Sequence, residues 1–99
     1  MKYACSWTVR ASGSATENIA DAKKLQEVFA AWEPPEGATY MHLASVTGGR
    51  GYTLIETDDP KKVAESVTLF SPFLEWTVDP VIEIEDAVAL GAAALAKLT

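Results

Sequence analysis

From Tyr3 to Val9 the odd positions are Tyr3, Cys5, Trp7 and Val9, and the even positions are Ala4, Ser6 and Thr8. Side chains of a strand point alternately to opposite faces, so this pattern predicts a strand with two unlike faces. The period then changes. Ser14-Ala-Thr-Glu17 has capping-box spacing, and after it Ile19, Ala22, Leu25, Val28, Phe29 and Trp32 recur at helical intervals. Pro34-Pro35 ends this first helix, because proline lacks the amide donor and restricts the residue before it.

Thr39 to Val46 and Tyr52 to Thr57 are rich in aromatic and β-branched residues and flank Thr47 to Gly51, which predicts a hairpin. Asp59-Pro60 is an N-cap followed by proline at the first helical position. Val63, Val67 and Phe70 then mark a second amphipathic helix that stops near Pro72. Leu74, Trp76 and Val78 alternate with Glu75, Thr77 and Asp79 as a fourth strand, which Asp79-Pro80 is expected to bend or end. From Glu83 the tail reads as an alanine-rich helix with acids at its start and Lys97 near its end, the charge placement that complements a helix dipole. Ile84, Val88, Leu95 and Leu98 form its apolar stripe.

The order β-α-β-β-α-β-α predicts an α+β fold of ferredoxin-like type, a four-stranded antiparallel sheet with two helices on one face, followed by a C-terminal helix. No linker or short repeat interrupts the chain, so a single domain over 1–99 is expected. That architecture leaves one sheet face open. With Tyr40, His42, Leu74 and Trp76 expected there, the face is too apolar for water, and a second copy of the sheet is its expected cover. A chain of 99 residues buries a modest core, which also favours a dimer.

Charge and composition narrow the function. Eight basic against fourteen acidic residues give a net charge of -6, which repels phosphate backbones, and the Lys/Arg-Gly-Phe type of RNA-recognition motif is missing. Nucleic acid is not an expected partner. Cys5 is the only cysteine, so no internal disulfide or cysteine metal cluster can form, which fits a reducing compartment. Neither the N-terminus, broken by Ser6 and Thr8, nor the run Ala87 to Ala96 has the apolar length of a signal peptide or a membrane span. A cytoplasmic protein without membrane contact is expected.

The set Lys2-Tyr3, Trp7-Thr8, Pro35-Glu36-Gly37, Gly48-Gly49-Arg50-Gly51, Glu56-Thr57-Asp58-Asp59 and Val78-Asp79-Pro80-Val81 resembles a bacterial family of domains of unknown function. That family looks like a member of the dimeric α/β-barrel superfamily, which also holds small monooxygenases, muconolactone isomerases and stress-response barrels. The resemblance runs from Met1 to about Asp86. It implies a homodimer with sheets packed face to face and a cleft in each subunit between sheet and helices, and it implies no particular activity. Relatives often carry a Trp-His pair on the strand before the glycine turn. Leu43-Ala44 stands there in this chain, so the family's histidine role does not pass directly to His42.

Gly48-Gly49-Arg50-Gly51 is followed by a strand, whereas a phosphate-cradling loop needs a helix after it. A hairpin turn with glycines at positive φ is the better reading, with Arg50 left as a candidate ligand contact. His42 is the one histidine: a candidate catalytic base or haem ligand, or else a half-buried strand residue. No cofactor is expected, and a lone histidine with no cysteine partner makes no zinc site. Glu56 shares its side-chain phase with Tyr52 and Leu54; if that face is inward, a raised pKa would let it transfer a proton. Trp7, Tyr40 and Trp76 are candidate ligand walls. The expected function is binding or conversion of a small apolar or aromatic molecule, with a non-catalytic assembly or sensing module as the alternative. A hollow cleft holding His42 or Glu56 favours the first, and a cleft filled by Trp7, Phe73 and Trp76 favours the second.

Overall fold

In the computed structural model, residues 1–11 and 13–98 are described. Seven elements follow one another: β1 (Lys2–Val9), α1 (Ala15–Ala31), β2 (Thr39–Ala44), β3 (Arg50–Glu56), α2 (Pro60–Phe70), β4 (Leu74–Val81) and α3 (Ile84–Ala96). The strands form one antiparallel sheet in the order β2-β3-β1-β4. This is the ferredoxin-like arrangement, with a C-terminal helix added.

Local chemistry sets the helix starts. Ser14 Oγ accepts from the Glu17 amide at 3.2 Å, and Asp59 Oδ1 accepts from the Lys61 amide at 3.0 Å with Pro60 behind it. The hairpin closes through Gly48 and Gly49, at φ 77° and 74°, a region that side chains with a Cβ rarely enter. Ser45 N donates to Arg50 O at 2.9 Å and closes the hairpin, and β2 ends at Ala44, two residues short of the Thr39 to Val46 run expected from sequence. β4 runs on through Asp79-Pro80 to Val81, with Pro80 opposite Tyr3. The strand tolerates this proline because it is an edge strand, paired on one side only.

The register sorts the side chains. Tyr3, Cys5, Trp7, Tyr40, His42, Thr53, Ile55, Leu74 and Trp76 share the face that meets α1 and α2. Tyr3, Cys5, Ile55 and Val63 form its core, with Tyr40, Val67 and Trp76 packed against them. Burial raises the pKa of the Cys5 thiol above its ordinary value and keeps it in the neutral, hydrophobic form. The open face instead carries Met41, Leu43, Tyr52 and Leu54, all exposed, together with Lys2 and Glu56. Tyr40, His42, Leu74 and Trp76 are therefore not on the open face as expected: they point to the helices. The open face is nonetheless apolar.

The two covering helices pack unequally. α2 buries Val63, Ser66 and Phe70, and the Tyr40 hydroxyl ties it to β2 through Ser66 Oγ at 2.6 Å. α1 buries no residue fully, and Phe29 stays 48% exposed on it. α3 leaves the sheet altogether. Ile84, Val88, Leu90, Leu95 and Leu98 are all exposed, and the long axis of the protomer reaches 61 Å against 29 and 20 Å for the others. Its root is held by the Lys2 ammonium on the Glu83 carboxylate, a contact that raises the lysine pKa. No described helix is long and apolar enough to cross a membrane.

Candidate functional site

Because α1 stands off the sheet while α2 packs onto it, a cavity of about 490 Å³ remains between them. Its floor is the covered sheet face, with Trp7, Thr53 and Trp76. Its walls are Leu25 and Phe29 of α1 and Phe70 of α2, and His42 enters from β2. No Lys, Arg, Asp or Glu lines it among the described residues. This is the size and character of a pocket for a small apolar molecule.

Trp7 takes its position from a glycine. Gly51 is its partner across β1 and β3, and a methyl group on residue 51 would overlap both the Trp7 ring and the Leu43 carbonyl oxygen. The last glycine of Gly48-Gly49-Arg50-Gly51 thus serves neither turn nor anion: it lets an indole lie against the sheet. From there Trp7 Nε1 donates to Thr53 Oγ1 at 3.2 Å, and Thr53 Oγ1 lies 3.1 Å from His42 Nδ1. Thr53 is 1% exposed, so this hydroxyl joins the two cavity side chains inside the protein.

The imidazole of His42 stands among rings. Phe29 and Trp32 meet it edge-on at centroid distances of 5.3 and 5.9 Å, and Tyr40 stacks at 5.9 Å. The residue as a whole remains exposed, yet these neighbours remove enough water to lower its pKa below the ordinary 6.5. The indole N–H of Trp76 is buried without a hydrogen-bond partner.

The structure brings together His42, Trp7 and Trp76 and separates the other sequence candidates from them. Tyr40 lies behind the cavity, its hydroxyl engaged by Ser66 and its ring supporting His42. Arg50 opens β3, exposed on the other sheet face. Glu56 also lies on the open, exposed face, so the inward placement on which its proton-transfer role depended is not met in the protomer. Phe73 lines a separate hollow of about 80 Å³ beside Arg10 and Asn18, and Trp7 and Trp76 wall the main cavity without filling it. Sequence reasoning missed Thr53, Gly51 and the α1 wall, although Leu25 and Phe29 already stood in its apolar stripe.

The family model described as a domain of unknown function (DUF3303) matches residues 1–95. Among solved structures, the chain is similar to a Deinococcus radiodurans protein assigned to the antibiotic biosynthesis monooxygenases, at 13% identity and a TM-score of 0.48, covering 84% of this chain and 94% of that one. No curated protein matches.

Two outcomes are expected from this geometry. Gly51→Ala should cost about 1–3 kcal/mol in urea unfolding, with a changed near-ultraviolet tryptophan signal as Trp7 is displaced. An unchanged signal and stability would mean that Trp7 does not rest on residue 51. The second concerns pH. With the folded pKa of His42 below 6.5, the unfolded chain binds more protons, so the stability supplied by neutral His42 is present above pH 6.5 and is lost as pH falls through 6.5 toward the folded pKa. An NMR titration of this single histidine should give a midpoint under 6.5, and His42→Phe should flatten the stability slope in that window.

Proposed function

We propose that this chain, which belongs to the DUF3303 family of domains of unknown function, acts as a single-domain homodimer that holds a small apolar or aromatic molecule between its sheet and helices. The observation that carries the reading is the cavity itself: about 490 Å³ of hollow, apolar space walled by Trp7, Trp76, Phe29 and Phe70 in a protein of 99 residues. The space opens to solvent beside the exposed Phe29 and His42, and its apolar walls gain free energy when an apolar occupant displaces water from them. His42 is the polar group best placed to meet an occupant. The lone, buried Cys5 fits a reducing, cytoplasmic setting.

The homodimer rests on a different surface. Met41, Leu43, Tyr52 and Leu54 form a contiguous apolar patch on β2 and β3, and α3 offers a second apolar surface with no cover in its own protomer. A second sheet stacked on the first covers the patch and gives α3 a neighbour. Lys2, Arg50 and Glu56 share this face, and we assign them to the interface rather than to the cavity.

Sedimentation at micromolar concentration should therefore show about twice the 10.6 kDa protomer mass, and Tyr52→Glu combined with Leu54→Glu should return it to one. A wild-type species of protomer mass alone would remove the dimer. For the cavity, a thermal-shift screen of one- to three-ring aromatic compounds should find stabilising ligands, with about 2.7 kcal/mol gained at a hundred times Kd. Leu25→Trp, which fills the space from α1, should abolish the shifts while leaving the fold intact. Shifts that survive this variant would place the ligand elsewhere.

A further inference from the structure

The cavity's hydrogen-bonding groups are unequally committed, and their commitments define what it can hold. The indole N–H of Trp7 is a donor only, so Thr53 Oγ1 accepts from it at 3.2 Å. Thr53 has one hydroxyl proton to give. At 1% exposure that proton has no water, and the other group within reach is His42 Nδ1 at 3.1 Å. If Nδ1 carried the ring proton, the hydroxyl would receive two donors and its own proton would be stranded in the core. The chain Trp7 N–H to Thr53 O–H to His42 Nδ1 therefore fixes the neutral imidazole with its proton on Nε2.

An Nε2–H without a protein partner is a donor, and Trp76 adds a second N–H without an acceptor. Among the described residues no Lys, Arg, Asp or Glu lines the space to accept from a ligand or neutralise one, and with the Thr53 hydroxyl committed the Gln26 amide is the lining side chain left free to donate and accept. Bringing a carboxylate into such a site costs its hydration with no compensating cation. An uncharged carbonyl oxygen suits it better, because it accepts one or two hydrogen bonds and leaves water at little cost.

Building on the cavity reading, we propose that the site is specific for neutral apolar or aromatic carbonyl compounds, such as ketones, aldehydes or quinones, whose oxygen accepts from His42 Nε2–H. In its resting state His42 is thus an anchor and polarising donor for the carbonyl and not a proton-abstracting base. Trp7 and Thr53 are positioning residues that hold the tautomer, and Trp76 supplies a second N–H to an oxygen that reaches it.

Two measurements on the full chain test this. His42 is the one histidine, so a ¹⁵N spectrum of histidine-labelled protein at pH 8 reads its tautomer without assignment. The expected pattern is a protonated Nε2 and a bare Nδ1, with the Nε2 preference lost in Thr53→Val; protonation at Nδ1 overturns the proposal. Equilibrium dialysis with naphthalene, 1-acetonaphthone and 1-naphthoate is the second. The ketone should bind about tenfold more tightly than the hydrocarbon, the order expected of one hydrogen bond to an otherwise unpaired donor, and more tightly than the anion. His42→Phe should erase that advantage while retaining naphthalene binding, which also shows that the variant is folded. Equal binding of all three probes, or a ketone advantage that survives His42→Phe, rejects carbonyl recognition and leaves the cavity reading standing. Binding of none of the three removes the cavity reading and this inference with it.

Discussion

A four-stranded sheet with two helices can cover only one of its faces, and in this protein both faces are apolar. On β3 the side chains alternate between Gly51, Thr53 and Ile55, all buried, and Tyr52, Leu54 and Glu56, all exposed. The helices take the face with the smaller side chains, and the charged Arg50 and Glu56 lie in the other phase. Much follows from that choice. Small residues on the floor leave room above them, and α1, which buries no residue fully, does not come down to fill it. The larger side chains, Tyr52 and Leu54, are left outward with Met41 and Leu43.

The polar atoms within the covered face are linked to one another rather than to water. The Tyr40 hydroxyl donates a hydrogen bond to Ser66 Oγ, which donates onward to Lys62 O at 3.1 Å, so the phenol is committed to holding α2. Thr53 makes the corresponding link between Trp7 and His42. The first link runs from β2 to α2 in the packed half of the face, and the second crosses β1, β3 and β2 on the floor of the hollow half between α1 and α2. The stacking of Tyr40 on His42 joins the halves, so the orientation of the imidazole depends on the well-packed side of the domain.

The element order, both N-caps and the hairpin with its glycines were legible in the sequence, because each rests on local spacing or on a single residue's backbone preference. The faces were not. Alternation states which side chains share a side of a strand and is silent on which side meets the helices. On β3 the bulkier phase, Tyr52 and Leu54, is the outward one. That one ambiguity sent Tyr40, His42, Leu74 and Trp76 to the open face and raised the prospect of an inward Glu56. Pro80 misled for a related reason, since its effect depends on whether β4 lies at an edge, which is a property of sheet order. Of the candidate site, Trp7, His42 and Trp76 could be named from residue type alone. Thr53 could not, because its role comes from being the one hydroxyl between an indole and an imidazole that meet only in three dimensions.

The two apolar surfaces are not independent. β2 is an edge strand of six residues that presents Tyr40 and His42 to the covered face and Met41 and Leu43 to the open one. Leu43 also borders the cavity beside His42 and Ala44. Hydrogen bonds to β3 hold one side of this strand, and on the covered face it meets the loosely packed α1 through the contact of Phe29 with His42. A second copy covering Met41 and Leu43 would restrain β2 from the face opposite the imidazole. Assembly of the sheet faces and the geometry of the pocket then act through the same six residues. The open face would serve as part of the apparatus that keeps the His42 wall of the cavity in place.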